Sequence, residues 1–341
     1  PSPPTVTVPS GGAVSDSAIT SAVTDAGKGA EISLNASAST SVTLGGAAAA
    51  AVVENGSALN VTVKGGGALT VQPDVLQALN LKAADKLSVG MTTAASTTPN
   101  AIAFEVNLAV NGAAVHTLGG KMTLDFPMDA AWNGKTVILE HRHADGTVTY
   151  TEAVVKDGKA TTIVTDLSTF TVRLSSDMPA AAFTDLKAED WSFGGIAYAV
   201  EKGLFAGTSA TTFAPNSPMT RQQMWMVLAR LSGQTPADMD AAKTWAISNQ
   251  ISDGSNPTAA VTRQQFVTLL WRTVGSPAAS KDLSAYTDAA SVEAYAKTAF
   301  AWAVGSGVVS GTSAATLSPT GTASRAQIAV ILSRYGQQAF K

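Results

Sequence analysis

The chain has 341 residues, of which 45% are hydrophobic and 14% charged, with a formal net charge of −3. Such a length exceeds one typical domain, and so small a net charge gives no reason to expect nucleic acid or an anionic membrane surface as partner. Cysteine is absent, which rules out disulfide and thiolate chemistry, and the longest small-apolar run, Ala47 to Val53, is far too short to cross a bilayer.

The opening Pro1-Ser2-Pro3-Pro4 has no secretory leader and is expected to be a linker or processed end of a longer protein. Residues 1–177 are expected to form a β-rich, α+β, sandwich-like region, with room for a division near residue 95. Thr5 to Val8 alternates as a strand, Ser15 to Ala26 has helical spacing behind a Ser/Asp start, and Ala30 to Leu34 can return beside the first strand. Strand–helix–strand wording recurs at 41–63 and 68–89, the second time with Pro73 at a helix start. From Ala101 the pattern becomes antiparallel: Ile102 to Val110 is closed by Asn111-Gly112, a strong hairpin turn. Later strands over 137–143, 148–155 and 160–164 are separated by Asp145-Gly146 and Asp157-Gly158, and Thr169 to Val172 ends the set.

Little in this half points to catalysis. Asp125 and Asp129 flank Phe126-Pro127 in an expected loop, which suits turn chemistry better than an acid/base pair. Gly45-Gly46 and Gly65-Gly66-Gly67 lack a following Lys-Ser/Thr, so no phosphate loop is expected. His141 and His143 alternate on one strand and share a face, a geometry open to metal. Only Glu140 and Asp145 accompany them closely, so two solvent-facing histidines, no metal and no cofactor are expected. Catalytic residues are likewise not expected, and the chain is not expected to be an enzyme.

At Met178-Pro179 the period changes to 3.6, and an all-α region is expected over 178–341. Three segments within it align, at about 183–236, 237–280 and 281–341. Ala197 to Gly207 matches Ala301 to Gly311, and Thr244 to Gly254 keeps the aromatic residue and the final glycine. Each segment then opens a second helix, at Thr220-Arg221-Gln222-Gln223, Thr262-Arg263-Gln264-Gln265 and Ser324-Arg325-Ala326-Gln327. Hydroxyl at the cap and Gln at the third helical position is a capping box. The apolar faces that follow, such as Met224, Val227 and Leu228, suit three helices bundled about a pseudo-threefold axis. Arg221, Arg263 and Arg325 stand at the first helical position, where the helix dipole disfavours a cation. Either a bound anion at the helix start or a pairing with an acidic residue of a neighbouring segment, such as Asp185 or Asp288, offsets that placement.

Phe183-Thr184-Asp185, Trp191, the Gly207 loop, Phe213-Ala214-Pro215 and Thr220-Arg221 together resemble the S-layer homology domain, over residues 183–341. That resemblance implies a pseudo-threefold triplet which binds a secondary cell-wall polysaccharide, carrying a pyruvylated N-acetylmannosamine-type sugar, in grooves between copies. It implies ligand-binding roles for Arg221, Arg263 and Arg325, for Thr220, Thr262 and Ser324, for the loop glycines Gly207, Gly254 and Gly311, and for Asp185, Asp288 and Trp191. It also implies an extracellular place in the cell wall or S-layer of a bacterium, with a surface lattice of further copies as a second partner, and neither nucleic acid nor membrane insertion. The expected function is anchoring without catalysis; the alternative is the wall-proximal part of a surface hydrolase whose catalytic domain lies upstream or in the β-rich half. Two departures stand out: the family motif's glutamate is glutamine in all three segments, and the middle segment lacks the Phe-x-Asp opening and the Phe-x-Pro loop. Arg221 and Arg325 are therefore expected to matter more for binding than Arg263.

Overall fold

The computed structural model describes residues 3–279 and 281–339, with side chains up to Gly336. Pro1 and Ser2 of the expected linker, Ser280 of the second segment and Phe340-Lys341 of the third lie outside the described residues. The chain forms two compact units, Pro1–Asp177 and Met178–Lys341.

In the first unit the elements follow as β1 (Thr5–Thr7), α1 (Asp16–Ala26), β2 (Ile32–Ala36), β3 (Ser41–Gly45), α2 (Gly46–Asn55), β4 (Leu59–Val63), β5 (Ala68–Val71), α3 (Pro73–Ala78) and β6 (Lys86–Ala94). The strands β7 (Ala101–Val110), β8 (Ala113–Ala114), β9 (Thr117–Pro127), β10 (Thr136–Arg142), β11 (Val148–Val154), β12 (Lys159–Asp166) and β13 (Thr169–Leu174) complete it. A 6-stranded sheet runs β1-β2-β4-β5-β9-β12, and a 7-stranded sheet runs β11-β10-β13-β7-β6-β3 with β8 against β7. Alternation sets the buried faces: Leu59, Val61 and Val63 of β4 are buried while Asn60 and Thr62 are not. Both sheets feed one core, in which Phe126 of β9 lies 4.9 Å from Phe104 of β7 and 5.2 Å from Phe170 of β13, ring centre to ring centre. Residue 95 falls in the connection between β6 and β7, which pair with each other.

Several local expectations are corrected here. Asp125-Phe126-Pro127 is no loop but the end of β9, a strand hidden in the sequence because Gly119-Gly120-Lys121 breaks its alternation. Asp125 accepts from Thr161 Oγ1 at 2.7 Å on the neighbouring β12, and Asp129 caps a short 3₁₀ turn through Ala131 N at 2.8 Å. Asn111-Gly112 does turn the chain, with φ of 52° and 83°, but β8 pairs with β7 for two residues only, and the chain then crosses to the other sheet. Asp157-Gly158 is a two-residue turn closed by reciprocal Lys156–Lys159 backbone bonds of 2.9 Å, and it carries the chain from one sheet to the other. His141 is not solvent-facing. It is 7% exposed and stacks on Phe170 at 4.1 Å between ring centres.

Helices dominate the second unit: α4 (Phe193–Glu201), α5 (Arg221–Leu231), α6 (Met239–Ser248), α7 (Arg263–Thr273), α8 (Lys297–Gly305) and α9 (Arg325–Ala339). Capping boxes open α5, α7 and α9, since Thr220, Thr262 and Ser324 accept from the Gln amide at the third position while that Gln side chain accepts from the cap amide. Thr262→Ala is therefore expected to lower the stability of this unit by about 1 kcal/mol, measured as a shifted urea midpoint, with Thr262→Ser close to unchanged.

Backbone hydrogen bonds tie the three segments into a ring that no periodicity foreshadows. Val261 N donates to Met219 O at 2.8 Å, Ala323 N to Val261 O at 3.0 Å, and Met219 N to Ala323 O at 3.4 Å. All three residues are buried, so each amide finds its partner in another segment rather than in water. Two residues further on the same cycle repeats: Arg221 N donates to Ala259 O, Arg263 N to Gly321 O and Arg325 N to Ser217 O. Close approach of α4 to α9 depends on Gly195, because a Cβ there would stand 2.6 Å from the Val330 Cα.

Candidate functional site

The three arginines do not sit over their own segments. Each reaches into the loop of the next. Arg221 Nε donates to Ser255 O, Arg263 Nε to Leu317 O and Arg325 Nε to Phe213 O, at 2.9, 2.9 and 2.8 Å. One Nη2 follows in each case, to Ser252 Oγ and Asp253 Oδ1, to Ser310 O, and to Ala206 O. Carbonyl oxygens thus offset the unfavourable placement at all three helix starts, and at Arg221 the carboxylate of Asp253 in the neighbouring segment, 3.0 Å away, adds the expected acidic pairing. A guanidinium has five N–H donors, so these bonds leave others for a ligand.

Asp185 and Asp288 serve the loops instead of pairing directly with the arginines. Asp185 accepts from the Phe213 and Ala214 amides at 2.9 and 2.7 Å, and Asp288 from the Leu317 and Ser318 amides at 2.9 and 2.7 Å. Burial works to raise the Asp185 carboxyl, but those amide bonds outweigh it and hold it below its ordinary value. Gly207 and Gly311 are loop pivots, where a Cβ would meet Ser209 O at 2.3 Å and Ser313 O at 2.2 Å respectively. Gly254 has a φ of +73°, a conformation that favours glycine. Thr220, Thr262 and Ser324 commit their hydroxyls to capping.

Two cavities have matching construction. The first, of about 410 Å³, is lined by Arg221, Asp253 of the next loop, Arg272 near the end of α7, and Tyr295. The second, of about 250 Å³, is lined by Arg263, Gly311 of the next loop, Arg334 of α9, and Trp191. In each, a helix-start arginine and a late-helix arginine face one loop beside an aromatic residue from the remaining segment. Trp191 and Tyr295 are exposed, at 69% and 48%. They differ in charge: Arg221 is held 3.0 Å from Asp253, whereas Ser310 takes the equivalent place beside Arg263 and brings no carboxylate. Burial lowers the Arg263 guanidinium pKa, Asp288 acts to raise it, and Arg334 acts to lower it further. At the third equivalent place Arg325 lies over Phe213 and Phe205, at 4.5 and 5.2 Å to the ring centres, and in the alignment of the segments Asp238, the cap of α6, takes the position of Trp191 and Tyr295.

The late-helix arginines Arg230, Arg272 and Arg334 were legible as a repeat, since each follows its helix-start arginine at one spacing, but periodicity alone does not say that both share a groove. Arg230 and Arg272 donate to Leu204 O and Ile251 O of the preceding loops, at 3.2 and 3.0 Å, and Arg334 to Ser310 Oγ at 2.8 Å.

Residues 182–224 and 285–329 match the S-layer homology domain. The Surface-layer 125 kDa protein of Lysinibacillus sphaericus is 36% identical over 114 residues, covering 27% of this chain and 10% of that protein. An endoglucanase of Bacillus sp. (strain KSM-635) is 38% identical over 71 residues, covering 20% of this chain and 8% of that enzyme. The matched stretches therefore span a tenth or less of these curated relatives. A solved structure, the undecaheme cytochrome from the S-layer of Carboxydothermus ferrireducens, overlaps 37% of this chain and 18% of its own at 19% identity, with a TM-score of 0.26, too loose a superposition to bear on the fold. Two segments of the C-terminal unit carry the S-layer homology domain, and the chain is a bacterial cell-surface protein.

Proposed function

We propose that the C-terminal unit is a non-catalytic anchor that grips an acidic secondary cell-wall polysaccharide, and that residues 237–280 are a third, diverged copy completing a pseudo-threefold triplet. The cyclic hydrogen bonding of Met219, Val261 and Ala323 supports the triplet. The observation that carries the ligand reading is the Arg263 groove, which sets two guanidinium groups and the exposed Trp191 around one loop without an opposing carboxylate among its lining residues. Planar guanidinium groups suit a carboxylate such as a pyruvyl acid, and an exposed aromatic face suits the apolar side of a sugar ring. The groove ranking inverts accordingly: the Arg263 groove leads, the Arg221 groove follows because Asp253 competes there, and Arg325 is engaged by Phe205 and Phe213.

Sedimentation with purified wall sacculi tests this. The chain is expected to pellet with intact sacculi and to stay soluble with sacculi stripped of polymer by hydrofluoric acid; equal retention on both would overturn the proposal. Trp191→Ala, at an exposed position that leaves the fold intact, is expected to weaken binding about tenfold. The similarity to part of an endoglucanase keeps a second reading open, in which this anchor serves a hydrolase with its catalytic domain elsewhere. The full-length gene product separates the two, since a hydrolase would cleave wall glycan and a lattice subunit would not. Lattice assembly by further copies belongs to the first reading and is read out by electron microscopy of the chain on sacculi.

A further inference from the structure

At the open edge of the β-rich unit, three side chains from two strands converge, His141 and His143 at the end of β10 and Asp166 at the end of β12. His141 Nε2 stands 3.5 Å and His143 Nδ1 2.6 Å from the same Asp166 Oδ1, and one ligand atom from each residue lies within 4.8 Å of the others. His141 is the telling member. Its side chain is 9% exposed, and its Nε2 is buried with no hydrogen-bond partner among the described residues. A buried nitrogen of this kind ordinarily costs stability unless something fills its lone pair or takes its proton. Phe170, stacked on the ring, fixes the direction in which Nε2 points.

We infer that His141 Nε2, His143 Nδ1 and Asp166 form a binding site for one borderline divalent transition metal of the zinc type. Two imidazoles and one carboxylate suit zinc, cobalt or nickel and do not suit calcium or magnesium, which prefer all-oxygen sets. Tetrahedral zinc places its donors roughly 3.3 Å apart. The 3.5 Å separation already meets this, and the 2.6 Å contact opens by rotation of the Asp166 carboxylate, which is 30% exposed at the end of β12. Thr149 Oγ1 lies 2.8 Å from His143 Nε2. Metal on Nδ1 leaves the ring proton on Nε2, where it donates to that hydroxyl, the arrangement that orients a ligating imidazole. A fourth position opens toward a cavity of about 400 Å³ beside Thr149 and Lys121. Because His141 belongs to one sheet and Asp166 to the other, a bound ion would tie the two sheets together at their open edge.

Isothermal titration of ZnCl2 into the chelator-stripped full chain tests the site. One equivalent is expected to bind, raising the unfolding temperature of the β-rich unit by about 5 °C at hundredfold excess over Kd. Co2+ in its place is expected to give the visible absorption of a four-coordinate ion. His141→Phe, which keeps the stack on Phe170, and Asp166→Asn should each weaken Zn2+ at least about tenfold, and Thr149→Val about tenfold. Absence of a one-equivalent event, unchanged affinity in Asp166→Asn and Thr149→Val, or binding of Ca2+ in preference to Zn2+ would each overturn the assignment. Asp166 and Thr149 lie at the surface, so those two variants decide the matter even where His141→Phe does not fold.

Discussion

Arg263→Ala is expected to destabilise the C-terminal unit by about 3 kcal/mol, making it the most costly of the three arginine replacements. Arg263 is 5% exposed, so its stem is packed and its truncation leaves a void as well as two orphaned carbonyls, Leu317 O at 2.9 Å and Ser310 O at 3.4 Å. Lysine keeps the charge but offers a single point of donation, which cannot serve Leu317 O and Ser310 O with the geometry of a planar fork. Arg263→Lys is thus expected to lose about half as much. Urea unfolding followed by tryptophan fluorescence measures both; a loss under about 1 kcal/mol for Arg263→Ala would show that the buried guanidinium is dispensable to the fold. Since this replacement removes ligand contact and scaffold together, loss of wall binding in Arg263→Ala does not by itself locate the ligand. Trp191→Ala does, because Trp191 is exposed.

Phe126→Ala is expected to cost the β-rich unit about 4 kcal/mol, lowering its calorimetric transition by about 10 °C. Phe126 is fully buried and is the one aromatic side chain of its sheet that meets Phe104 and Phe170 of the opposite sheet. Deleting it removes transfer free energy, opens a cavity between the sheets and loses both aromatic contacts. Phe126→Leu, closer in volume, is expected to cost under half as much. Phe170 also stacks on His141, so Phe126→Ala and loss of zinc should be non-additive, a coupling that neighbouring sites show and distant ones do not.

Features within one turn of backbone were open to reading in advance. Thr220 with Gln223, and Thr262 with Gln265, are three residues apart, and cap and amide meet wherever that helix forms. Asn111-Gly112 turns because both residues adopt positive φ at low cost. β9 was not readable: its Gly119-Gly120 obscures the alternation, and its strand character comes from β5 and β12 on either side. The arginine partners were not readable for a related reason. A helix dipole is a local field and predicts that a cation at a helix start needs an offset, but the offset lies in the loop of another segment, 34 residues from Arg221 and 112 from Arg325.

For this protein, sequence by itself determined the repeat, the caps, the switch from strand to helix period near Met178 and the likeness to S-layer homology domains, because each is carried by residues near one another in the chain. Tertiary structure alone decided which loop each arginine grips, that Tyr295 and Trp191 line two cavities of matching construction, and that His141 is buried against Phe170 with Asp166 beside it. Those contacts join distant segments, and their strength depends on burial and on the direction of a donor, two quantities a linear order of residues does not contain.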